Sequence, residues 1–153
     1  MQDAPNDTTT QAVFTAQRLV RFSDCDPAGM VFYPQYFVML NGLVEDWFTQ
    51  GLQVNYAELL GARRIGLPMA SLQCDFKAPS SMGETIALHL RLARQGKRSL
   101  TLAVQCTGLD GTLRWSAQAV IVTTSLEHDG SISIPPDVVQ GIARWHQFAG
   151  ETP

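Results

Sequence analysis

The chain has no run of Lys or Arg longer than a pair, no uninterrupted apolar stretch of the roughly 18 residues a membrane helix requires, and only three cysteines in 153 residues. Each scarcity closes a class of function. Without a basic stripe, and with a formal net charge of -3, a surface that tracks nucleic-acid phosphates is not expected. No membrane-spanning helix is expected either. Cys25, Cys74 and Cys106 are odd in number and widely separated, which fits neither a disulfide framework nor a close-spaced zinc site. They suit a reducing cytoplasm, with Cys74 and Cys106 read as small apolar strand residues. Charged residues are also few, 16% against about 25% in an ordinary globular chain, so some apolar surface is expected at a subunit interface. The N-terminal "MQDAPNDTTTQA" lacks the basic and apolar regions of a secretory signal. Residues 1–12 therefore read as a disordered polar tail ahead of a single domain over 13–153.

What is present is an apolar fraction of 45%, enough for one sizeable core. Loose alternation predicts a first strand over Val13–Phe22, broken by a loop at Ser23–Gly29. Phe37, Leu40, Val44, Trp47 and Phe48 recur at three- and four-residue intervals, predicting a helix over about 34–51 that stops at Gly51. Val38, Met39 and Leu43 extend its apolar surface, so it is expected to be largely buried. After a short helical or irregular connection at Asn55–Gly66 come four runs in strand register, beginning at Pro68, Glu84, Arg98 and Thr112. Turn clusters separate them, which makes consecutive antiparallel pairing the economical topology. Asp110-Gly111 suggests a type I′ hairpin, because both residues tolerate positive φ. A C-terminal helix with Asp137 near its start completes an α+β pattern, a sheet around a central helix.

One stretch fits neither ordinary core nor ordinary surface: "DCDPAGMVFYPQYF", residues 24–37. Asp26-Pro27 starts a turn, Gly29 permits unusual backbone angles, and the chain then enters a helix whose unpaired amides attract negative charge. An aspartate here either caps the turn or does chemistry, and spacing alone favours the cap.

This string resembles the signature of the 4-hydroxybenzoyl-CoA thioesterase family of hotdog-fold proteins, most strongly from Arg21 to Asn41, with a weaker echo in "GKRSL". The resemblance implies a five-stranded antiparallel sheet curled around the long central helix. It also implies chains paired into dimers, often dimers of dimers, with active sites at the interface. It places the catalytic carboxylate on Asp26, either as nucleophile on a thioester carbonyl or as general base on water. The donor for the developing oxyanion falls on the Tyr33 backbone amide. The rings of Phe32, Tyr33, Tyr36 and Phe37 serve packing at least as readily as substrate contact. Asp24 is expected to orient the loop, and Cys25 to need a histidine base that none of His89, His128 and His146 supplies from nearby in sequence.

An acyl-CoA substrate carries phosphates that need cations, and Lys97 and Arg98 are the first candidates, with Arg63 and Arg64 behind them. Asn41 stands where the family carries an aspartate suited to a ring hydroxyl, so another aromatic or an aliphatic acyl group is open. No metal site and no cofactor beyond the substrate's own CoA are expected. An acyl-carrier-protein thioesterase and a non-catalytic acyl-CoA binding module remain the rival readings, and a hydratase is disfavoured because no histidine lies in or near the motif.

Overall fold

Alternation with a period of two decides which side of each long strand meets the core. In the computed structural model, which describes residues 11–149, Ile86, Leu88, Leu90 and Leu92 of strand β4 (Thr85–Gln95) are buried. So are Leu100, Leu102, Val104 and Cys106 of β5 (Ser99–Gly108), and Trp115, Ala117, Ala119 and Ile121 of β6 (Leu113–Val122). They face helix α1 (Tyr33–Asp46), which buries Tyr36, Met39, Leu40, Leu43 and Val44 at helical spacing. The other sheet face carries His89, Gln105 and Ser116 in one row.

Strand β1 is Phe14–Leu19, shorter than the alternation predicts, because Phe22–Asp24 forms a single 3-10 turn. Residues 1–10 lie outside the described residues. Gln11 and Ala12, assigned to the tail by composition, are seated: Ala12 is buried, and the Gln11 amide donates to the Leu92 carbonyl at 2.7 Å.

Consecutive pairing holds for β4–β5–β6 and fails for β3 (Met69–Phe76). The sheet order is β1-β4-β5-β6-β3, with every neighbouring pair antiparallel. Tight hairpins commit β4 to β5 and β5 to β6, and β1 occupies the other side of β4. The free side of β6 is the edge left for β3. The five-stranded antiparallel sheet around a long helix is the hotdog arrangement. A pair of two-residue strands, β2 (Ile65–Gly66) and β7 (Thr124–Ser125), forms a separate small ladder.

Two local expectations are corrected. Only Gly111 of the Asp110-Gly111 pair has positive φ (+86°), and its amide donates to the Gly108 carbonyl at 3.0 Å. The connection is a three-residue loop closed by a left-handed glycine, not a type I′ turn. The long helix leaves α geometry at Asp46 and continues to Gly51 as a wider turn, where the Leu52 amide reaches the Trp47 carbonyl at 2.8 Å. Nor is it buried all round, since Val38 is 64% exposed.

Helix α2 (Tyr56–Leu60) is capped by Asn55, whose side chain accepts from the Glu58 amide at 3.0 Å. Helix α3 (Pro136–Ala149) carries Asp137 in its first turn, bound bidentately by Arg63 at 2.7 and 2.9 Å. It lies so close to the turn after α1 that a Cβ on Gly141 would sit 2.6 Å from the Leu52 carbonyl oxygen. Trp145 then meets Trp47 edge-on at 5.4 Å.

Candidate active site

The motif folds into a small hairpin between β1 and α1. Asp24 accepts from the Arg21 amide at 2.8 Å and closes the 3-10 turn. Cys25 then bridges to Val31, with the Asp26 amide on the Met30 carbonyl (2.9 Å) and the Phe32 amide on the Asp24 carbonyl (2.9 Å). Gly29, at φ +77°, turns the chain between the two arms. Asp26 is half-buried. Its Oδ1 accepts from the Ala28 amide at 2.9 Å and the Met30 amide at 3.4 Å, while Oδ2 has no partner among the described residues. One oxygen therefore serves the turn and the other is free for chemistry.

Tyr33 opens α1. Phe32 is the residue before the first turn, Pro34 has no N–H, and the Gln35 amide is already on the Phe32 carbonyl at 2.8 Å. The Tyr33 amide has no intrahelical acceptor and stands at the partially positive end of the helix. Its ring, 58% exposed, meets Phe32, Phe37 and Phe76 edge-on at 5.6, 6.4 and 6.2 Å. A cavity of about 350 Å³ lies here, lined by Val31, Tyr33, Tyr36, Phe76, Lys77, Ala78 and Pro79. Asp26 is not part of that lining but shares the hairpin with Val31. Burial pushes the Tyr36 phenol up. The Tyr36 and Ser80 hydroxyls are both buried without a hydrogen-bond partner among the described residues.

Cys25 is poorly placed to be a nucleophile, because the thiolate is the reactive form. Partial desolvation and then the charges of Asp24 and Asp26 push its thiol up, and the thiol donates to the Arg21 carbonyl at 3.3 Å. His89 is held between Thr15 (3.1 Å) and Thr107 (3.0 Å), and His146 lies beside Trp145 on α3. Burial holds the His89 imidazole below its ordinary range and drives Cys106 up to about 12. Among the described residues no three His, Cys, Asp or Glu side chains gather as metal ligands.

Asp26 and Tyr33 flank one short segment, the second arm of the hairpin leading into α1, while the other sequence candidates lie elsewhere. Asn41 is exposed on α1, eight residues and about 12 Å along the axis from Tyr33. Lys97 and Arg98 occupy the β4–β5 turn, whereas the motif hairpin adjoins the other end of β4, a separation of roughly 30 Å. Their carbonyls accept from the Ile134 and Thr123 amides, both at 2.9 Å, and the Arg98 guanidinium donates to the Ser131 carbonyl and hydroxyl at 3.2 and 3.1 Å. Arg63 is taken up by Asp137, and Arg64 holds a left-handed backbone angle beside β2.

The wall formed by Phe76, Lys77, Ala78 and Pro79 was not foreseen. "FKAP" reads as the end of a strand, and only the pairing of β3 with β6 carries it to the helix N-terminus. Arg114 and Glu84, which hold this wall, were missed for the same reason.

The sequence profile of the thioesterase-like superfamily matches residues 20–142. The 4-hydroxybenzoyl-CoA thioesterase of Pseudomonas sp. (strain CBS-3) is 23% identical over 133 residues, 82% of this chain and 94% of that protein. In structure the chain is similar to a 1,4-dihydroxy-2-naphthoyl-CoA thioesterase from Synechocystis, with a TM-score of 0.79 at 21% identity over 86% of this chain and 96% of the other. It is also similar to a gentisyl-coenzyme A thioesterase, with a TM-score of 0.75 at 25% identity over 82% and 99%.

Proposed function

The chain belongs to the thioesterase-like superfamily, and we propose that it hydrolyses an aromatic or medium-sized acyl-CoA to the free acid and CoA. What supports this reading is an Asp26 carboxylate with Oδ2 unpartnered among the described residues, on the hairpin that leads into α1, whose open Tyr33 amide adjoins an aromatic cavity. The Tyr33 N–H, aided by the helix dipole, donates to the carbonyl oxygen as it gains charge. Asp26 attacks the carbonyl carbon to give an anhydride that water then opens, or takes a proton from the attacking water. In either course the C–S bond breaks and the departing CoA thiolate gains a proton. Carboxylate, amide and water suffice, and CoA enters only as part of the substrate.

The cavity's volume and its Tyr33, Tyr36 and Phe76 walls suit a ring. The three relatives described above are named for aromatic acyl-CoA substrates, which supports the same class here. Asn41, about 12 Å along α1 from Tyr33, is out of reach of a ring held in this copy's cavity.

Lys97 and Arg98, as the cations for the CoA phosphates, reach this site only from a second copy of the chain. Among the described residues edge strand β3 is paired on one side alone and ends in Phe76, 49% exposed and edge-on to the exposed Tyr33 of α1, a helix that also exposes Val38. Two copies joined along this edge would cover that surface and complete the site, and such dimers pair into a homotetramer. Light scattering should report two or four times the 16.8 kDa chain mass. A monomer with full turnover would sink the shared site. Three free thiols suit a cytoplasmic setting.

The test of activity is CoA release, followed with a thiol reagent, over benzoyl, hydroxybenzoyl, phenylacetyl and straight-chain acyl-CoAs. Aromatic substrates should be turned over fastest. Hydrolysis only when the same acyl group rides an acyl carrier protein would reassign the carrier, and binding without hydrolysis of either thioester would leave an acyl-CoA binding module.

A further inference from the structure

The cavity wall at residues 77–79 and the motif hairpin converge on one ion pair. The Arg114 carbonyl accepts from the Lys77 and Ala78 amides at 2.8 and 3.1 Å. Its guanidinium donates to the Pro79 carbonyl through Nη1 and to Glu84 Oε1 through Nη2. The second carboxylate oxygen of Glu84 accepts from the Ser81 amide at 3.0 Å, so both oxygens are engaged.

The loop closed in this way is the floor on which the motif hairpin rests. The Val31 amide donates to the Ser80 carbonyl at 2.9 Å, the Met82 amide to the Gly29 carbonyl at 2.9 Å, and Met30 bridges to Ser81. Met30 is also one of the two residues whose amides hold the Asp26 carboxylate. A continuous path of hydrogen bonds and backbone thus runs from Arg114 through Glu84, Ser81 and Met30 to Asp26. Arg114 and Glu84 side chains are only 15% and 24% exposed, so the pair is shielded from solvent and removing one partner strands the other.

We propose that the Arg114–Glu84 pair is a positioning device for the reaction, holding the Asp26 carboxylate and the 77–79 wall in fixed relation across the cavity. This rests on the thioesterase reading for its catalytic meaning, but its geometry is testable without it. In Arg114→Met the Ala28 and Met30 amides should exchange with solvent about tenfold faster or more, while Leu40 and Leu43 of α1 keep their protection. Unchanged exchange at Ala28 and Met30 overturns the proposal whether or not the protein cleaves thioesters. Glu84→Gln, which preserves shape, provides the same reading if Arg114→Met does not fold.

The kinetic arm is a double-mutant cycle. Arg114→Met should lower kcat by roughly 10²-fold in the parent, since a small misplacement of a reacting group is that costly, yet by less than about twofold in Asp26→Asn. Arg114→Lys, able to meet one acceptor but not both in the same fork, should rescue only in part. An equal loss in both backgrounds would mean a general packing role and would overturn positioning. If the parent cleaves no thioester, the activity proposal fails and the exchange measurement alone decides this one.

Discussion

Asp26→Asn should yield a folded protein that still binds acyl-CoA and has lost about 10²- to 10⁴-fold in turnover. The reason is the division of labour within one carboxylate. Oδ1 accepts from the Ala28 and Met30 amides, and an asparagine carbonyl accepts from them equally well, so the turn keeps its shape. What disappears is the charge on the free oxygen, and with it the group that attacks the thioester or takes the proton from water. KM should move little, because the amide of Tyr33 and the aromatic walls are untouched. Asp24→Asn is the internal control. Among the described residues its carboxylate accepts from the Arg21 amide alone, which asparagine also satisfies, so turnover should stay within about threefold of the parent. Thiol-trapped CoA release at saturating substrate measures both variants. An Asp26→Asn enzyme within fivefold of the parent would remove Asp26 from the chemistry.

Trp47→Ala should cost about 3–5 kcal/mol, the range for emptying a large buried aromatic site. Trp47 is fully buried where α1 loosens into its wider last turn, with Phe48 edge-on at 5.3 Å and Trp145 of α3 at 5.4 Å. Its indole N–H has no partner among the described residues, so the loss is one of packing. Against a total of roughly 5–15 kcal/mol this is a large share, and Tm should fall by about 10 °C for a chain of this length. Because Trp145 loses its neighbour, α3 should become the first element to exchange. Urea denaturation at matched protein concentration reads the energy, since an oligomer's stability depends on concentration. A loss below about 1 kcal/mol would show that Phe48 and Trp145 close the gap.

The elements most legible in the sequence are those whose cause is local. The spacing of Leu40, Val44 and Trp47 marks a helix whatever it packs against, and alternation in 100–106 marks a strand before its neighbours are known. The turn after Asp26 was equally visible, because Pro27 and Gly29 constrain the backbone within a few residues, although its two paired arms were not. The type I′ expectation at Asp110-Gly111 failed for a related reason: Gly111 alone takes the left-handed angle, and a three-residue loop satisfies the strands with less demand on Asp110. Val38 failed differently. Its hydrophobicity is a property of the residue, but its exposure depends on whether the sheet reaches around that side of the helix.

Taken alone, the sequence determined the class of fold, the helix that the sheet wraps, and the turn that holds Asp26, since all three follow from patterns spanning a turn or a few turns of chain; the roles given to Asp26 and the Tyr33 amide came from the family resemblance. Tertiary structure alone decided that β3 joins β6, that Phe76 to Pro79 becomes the far wall of the cavity, and that Arg114 and Glu84 meet beneath the motif. It also decided that Lys97 and Arg98 lie at the wrong end of their own sheet to serve the same site. These are contacts between segments 30 or more residues apart, selected by which strand edges remain free and which apolar faces must be covered, and no local spacing encodes them.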